Sequence, residues 1–148
     1  MKTITKRAEH LRTFFKTKER DNGDTFVYTT DDRPQELQDA IYEAHEQQLP
    51  NDWIFGTFAD LLQKVEEYDC ENIEQLEDYR HEIVDSYVDI YTHDLTKWLH
   101  ENQALSYLED ACDGFVSEDG AWQLLARAQY NAIDEVMRCV IDVLSKDV

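Results

Sequence analysis

EDGAWQLLARAQYNAIDEVMRCVIDVLSKD, residues 118–147, decides the fold. Trp122, Leu125, Ala128, Ala132, Val136, Val140 and Leu144 recur at steps of three and four, the period of one helix face. A face that long and apolar has to be covered by other elements. The segment 119–146 is therefore expected to be the core helix, packed in the middle of a bundle. The rest of the chain supplies candidates to cover it. Four Gly and two Pro in 148 residues leave little loop composition. The repeating signal is helical, and neither an internal repeat nor a low-complexity tract appears.

Working outward, residues 3–20, TITKRAEHLRTFFKTKER, place Ile4, Ala8, Leu11, Phe14 and Phe15 at helical spacing. They suggest a basic amphipathic helix over 1–20. DNGD at 21–24 is a turn, and TFVYTT at 25–30 reads as a short strand or an extended link with no partner strand in sight. In DDRPQELQDAIYEAHEQQ, Asp31 or Asp32 can cap, Pro34 suits a first helical turn, and Leu37, Ala40, Ile41 and Ala44 share one face. LPND at 49–52 separates that helix from WIFGTFADLLQKVEEY, whose core candidates are Trp53, Phe55, Phe58, Leu61, Leu62 and Val65. THDLTKWLHEN and QALSYLEDACDGF read as two shorter helices or one kinked one. The expected fold is all-α, a compact single domain of five or six helices over 1–148, with at most a minor strand near 25–30. That length suffices to bury a proper core.

Charge is the second signal. The chain carries −19, with 33 acids against 14 Lys and Arg. Seven basic residues and two acids give +5 to residues 1–20, so the other 128 carry −24. Such a surface disfavours direct contact with nucleic acid or anionic membrane and favours basic partners, metal cations or proteins that normally bind nucleic acid. The basic N-terminal segment is expected to neutralise acids of the same or a neighbouring subunit. Residues 66–94 hold eleven acids and one Lys or Arg, Arg80. Read as a helix over 71–90, they align Glu71, Glu74, Asp78, Glu82, Asp85 and Asp89 in one stripe opposite Ile73, Leu76, Ile83, Tyr87 and Ile90. Glu66 and Glu67 extend the acidic surface. Like charges four residues apart weaken a helix, and surface helices ordinarily intersperse Lys and Arg. The stripe is either a solvated face in a chain of acidic bias, as in a salt-loving host, or a surface built for a cationic partner.

One stripe offers about one carboxylate per 5.4 Å turn. Duplex DNA presents about one charge per 1.7 Å of axis. A single stripe is too sparse to imitate DNA, but the whole charge matches that of roughly ten base pairs, about 34 Å of duplex. A homodimer would double it.

ELQDAIYEAHEQQLPNDWIFGTF, residues 36–58, resembles part of the Ocr-like phage antirestriction proteins, through Leu37, Asp39, Ala40, Ile41, Ala44 and Pro50 and the acidic–aromatic run after Pro50. The pattern LxDAIxEAHxxxLPND also looks like one in uncharacterised proteins of phages and mobile elements. The resemblance implies a small, helical, dimeric DNA mimic that occupies the DNA groove of a host defence enzyme of the restriction or CRISPR type. On that reading the partner-binding face is Glu66, Glu67, Glu71, Glu74, Asp78, Glu82, Asp85 and Asp89. The alternative is a structural or regulatory protein–protein interaction module.

Other chemistry has weaker support. Asp78-Tyr79-Arg80-His81 is a single imperfect match to the Glu-x-x-His of di-iron bundles. His93-Asp94 is one dipeptide, and His10, His45, His81, His93 and His100 lack zincin spacing. Cys112 and Ser117 lie near Gly114 and Gly120 without a nucleophile elbow. No catalytic residue, metal or cofactor is expected. Cys70, Cys112 and Cys139 have no zinc or disulfide-framework spacing and suit a reduced cytoplasmic setting as buried thiols. Neither a membrane span nor a signal core is seen. Trp53, Trp98 and Trp122 are expected to anchor the core or its rim.

Overall fold

Ile4, Ala8 and Leu11 fall on one side of the first helix, α1, which spans Thr3–Arg12 and buries them together with Thr5. The computed structural model describes residues 3–45, 51–88 and 118–146. Helix α1 ends eight residues before the expected limit at Arg20. The N–H groups of Thr13 and Phe14 turn back to the carbonyls of His10 and Leu11, at 3.1 and 3.2 Å, and close the last turn tightly.

The chain then forms a β-hairpin. Strand β1, Phe15–Glu19, pairs antiparallel with β2, Thr25–Thr29, in the register Phe15↔Thr29, Thr17↔Val27 and Glu19↔Thr25. DNGD is the hairpin turn. The Arg20 N–H reaches the Asp24 carbonyl at 2.7 Å, and the Gly23 N–H reaches the Arg20 carbonyl at 2.9 Å. Gly23 takes φ 90°, a left-handed conformation that a side chain would strain. The all-α expectation is thus corrected to a mostly helical chain with a small two-stranded sheet. The strand at 25–29 has a partner, drawn from what the helical spacing had claimed for α1. Phe15 is buried while Lys16, Thr17, Lys18 and Glu19 are exposed, so β1 carries one anchor and no apolar alternation to reveal it. The anchor stacks on Phe58 with ring centroids 5.6 Å apart.

Helix α2 spans Gln35–Ala44 and buries Leu37, Ala40, Ile41 and Ala44, as the spacing suggests. Pro34 itself takes the N-cap position, and neither Asp31 nor Asp32 caps the helix. Helix α3, Asn51–Tyr68, buries Trp53, Ile54, Phe58, Leu61, Leu62 and Val65. Gly56 faces β2 at a distance where an added Cβ would meet Val27 Cγ2 at 3.9 Å, an ordinary contact. Helix α4 spans Ile73–Tyr87, and α5 spans Glu118–Ser145.

Helix α5 packs against α4, α2 and α3, with a lighter contact to α1. Its buried residues, from Gln129 through Ile133, Val136, Met137 and Val140 to Leu144, join those of α1 to α4 in one cluster. Its central place is what its apolar period demands. The side chains of Trp122, Leu125 and Ala128 lie outside the described residues, as do Trp98 and the two short helices expected between residues 92 and 115. None of the described helices is long and apolar enough to cross a membrane.

Candidate functional site, the acidic face of α4

Two local devices set the direction of α4. Asp69 ends α3 in a left-handed conformation, φ 49°, with its N–H on the Val65 carbonyl at 3.1 Å. Asp is one of the few side chains that tolerate this region. Its carboxylate also accepts the Thr5 hydroxyl at 2.5 Å, tying the turn to α1. Asn72 then caps α4, its side-chain oxygen accepting the Gln75 N–H at 2.8 Å. Gln75 reaches back to accept the Glu71 N–H at 2.7 Å.

From that start α4 buries Leu76, Ile83 and Val84 and half-buries Ile73 and Tyr87. Glu74, Asp78, Glu82 and Asp85 fall on the opposite side, within an arc of about 80° at 100° per residue. All four are exposed. Glu71 is exposed just ahead of the helix, while Asp89 and Ile90 lie outside the described residues. From Glu74 to Asp85 the stripe runs about 16 Å along the axis.

Three arginines are engaged with other carboxylates. Arg80, the one Lys or Arg of α4, turns to α5 and grips Asp134, with Nε–Oδ1 at 2.7 Å and Nη2–Oδ2 at 3.1 Å. Its Nη1 lies 3.9 Å from Glu77. Arg138 of α5 holds Glu135 at 2.5 Å, Glu43 at 2.9 Å and Asp142 at 3.2 Å. Arg12 of α1 takes both oxygens of Glu66, at 2.5 and 3.1 Å, and this hydrogen bonding raises the Arg12 pKa. That bidentate pair draws Glu66 out of the free acidic surface. It neutralises an acid of the same chain, one of the two roles expected of the basic N-terminal segment. Among the described residues, no ion pair involves Glu67, Glu74, Asp78, Glu82 or Asp85.

No protein-family model, no curated protein and no solved structure matches this chain.

The stripe has two different flanks. Toward α3, Tyr68 packs on Tyr79 with centroids 5.3 Å apart. Burial raises the Tyr68 pKa, and the charges of Glu82 and Glu67 raise it further. Glu67 is exposed at the end of α3, whereas Glu66 turns to α1. Toward α5, His81 Nδ1 lies 2.6 Å from the Tyr130 hydroxyl. Burial and then Asp134 raise the Tyr130 pKa, Arg80 opposes this, and Asp85 adds to it. Neither aromatic flank is visible in the residue pattern, because each forms only when α4 meets another helix.

Exposed carboxylates without counter-ions act through a long-range field. Among the described residues, no group of three or more His, Cys, Asp or Glu is placed to hold a metal ion. His10 and His45 set ring edges on Phe14 and Phe55, and His93 and His100 lie outside the described residues. Cys70 and Cys139 are buried, and burial pushes the Cys139 pKa up to about 12, far from a reactive thiolate. Cys112, like Ser117, lies outside the described residues.

Proposed function

We propose that the chain is an acidic DNA mimic of a phage or mobile element, a non-catalytic inhibitor that occupies the DNA groove of a host restriction or CRISPR protein. One observation carries this reading. Glu74, Asp78, Glu82 and Asp85 stand exposed in line on α4 with no described ion pair, while Arg80, the one Lys or Arg of that helix, turns to Asp134 instead. A chain under selection for stability alone gains by moving one cation into that line. Glu67 adds an exposed carboxylate near the end of α3, and the total of −19 equals the charge of roughly ten base pairs. The short Ocr-like stretch at 36–58 points to the same class of target.

The test is a plating assay. Unmodified phage is plated on restriction- or CRISPR-proficient cells that make either the native chain or one with Glu74, Asp78, Glu82 and Asp85 changed to Lys. Protection by the native chain that is lost in the reversed chain supports mimicry and names the target. Equal protection by both would move binding off α4, toward an interaction module that uses another surface.

A further inference from the structure

A second surface lies away from the stripe. An open-sided groove of about 730 Å³ runs between the end of β2, the turn before α2, one flank of α2 and the early part of α3. This volume falls within the roughly 300–1,000 Å³ of small-molecule sites. Ile41, Phe55 and Tyr42 supply its apolar wall, and Tyr42 leaves 75% of its surface open. The His45 and Phe55 rings meet in a T-shaped contact with centroids 5.5 Å apart. Gln38 and Arg33 supply polar groups.

Arg33 differs from the other described arginines that bridge elements. Arg12, Arg80 and Arg138 each hold a carboxylate, and Arg7 gives Nε and Nη2 to the Val143 carbonyl at 3.2 and 2.9 Å, in a chain with 33 acids to choose from. Arg33 is half-buried, and its described hydrogen bond is a single one, from Nη1 to the Thr30 carbonyl at 3.1 Å. No described carboxylate pairs with it. A guanidinium has five N–H donors in a planar fork, so most of this one is untaken by the described residues. A cation partly withdrawn from water and lacking an anion gains from any ligand that brings one.

We propose that this groove binds a small aromatic or branched apolar monocarboxylate. The carboxylate sits on the Arg33 fork, and the apolar body lies against Ile41, Phe55 and the Tyr42 ring. A planar carboxylate matches the fork in a bidentate manner. A single negative charge also meets the least repulsion from a chain of −19, which disfavours phosphates and dicarboxylates. Helix α4 contributes no described residue to the groove, so this site stands independently of the mimic reading.

The test titrates the full chain with phenylacetate and indole-3-acetate, and with phenylacetamide as the neutral control, by calorimetry and amide chemical shifts. Saturable binding of an acid is expected, with shifts centred on Arg33, Tyr42 and Phe55. Phenylacetamide and the Arg33→Gln chain should each weaken binding roughly tenfold or more, the scale of a lost charge-assisted hydrogen bond. Circular dichroism checks that Arg33→Gln folds. Tyr42→Ala, at an exposed position, serves as a second variant and should weaken the acids without unfolding the chain. No saturable binding of either acid, equal binding of acid and amide, or native affinity in both variants would overturn the proposal.

Discussion

Arg138 projects from α5 among Glu43, Glu135 and Asp142 and turns three repelling acids into one cluster. Its hydrogen bond to Glu135 lowers that carboxyl from the usual glutamate value, with burial acting against it. A carboxyl depressed in the folded state stabilises the fold above its unfolded pKa. That stabilisation disappears as pH falls through the folded value. In an Arg138→Gln chain, Glu135 should therefore titrate at a higher pH by carboxyl NMR. The variant should melt earlier than the native chain at neutral pH, and the gap should close as pH drops below the native Glu135 midpoint. Both partners are over a third open to water, or close to it, at 34% and 41%, so the effect belongs to the modest scale of surface pairs. An unchanged Glu135 midpoint would mean that another group, not Arg138, sets it. Arg138 and Glu135 lie three residues apart on α5, within reach on one helix face. The arrival of Glu43 has no such local signal, because it depends on how α2 meets α5.

The elements divide in the same way. Helix α4 was legible almost to its ends, 73–87 against an expected 71–90, because its apolar and acidic residues separate cleanly at 3.6 per turn. The hairpin was not, because Phe14 and Phe15 satisfy a helical period as well as a strand anchor, and the decisive partner is Phe58, some forty residues away. Legibility at α4 includes its internal conflict. Asp78 sits four residues from both Glu74 and Glu82, two repulsive pairs on one helix face. Asp78→Lys converts both to attractions and should raise stability by roughly 0.5–1 kcal/mol, measured by denaturant unfolding. The same change should weaken capture of a target. Higher stability with weaker binding is the mark of a surface kept for function at a cost to the fold. A loss of stability would show that Asp78 is satisfied where it stands, and would remove the conflict on which that inference rests.

At the scale of the molecule, salt separates the three accounts of the acidity. A folded chain of −19 repels itself, so added salt should raise its melting temperature as the screening length shrinks from about 10 Å at 0.1 M to about 3 Å at 1 M. If the chain mimics DNA, affinity for its target should fall over the same range, because the attraction is long-range charge. Stability and binding then move in opposite directions. An interaction module bound through apolar contacts would gain stability with salt yet hold its partner at nearly constant affinity. A halophilic protein would behave differently again, folding cooperatively only near molar salt. The structure bears on that last case. The described core is continuous from α1 to α5, and Arg12, Arg80 and Arg138 each bridge two helices, so screening is not the sole support of the fold. The chain should therefore unfold cooperatively even at low salt, with melting rising smoothly from there. Loss of cooperative unfolding below molar salt would assign the stripe to halophilic adaptation and leave the mimic reading without its electrostatic basis.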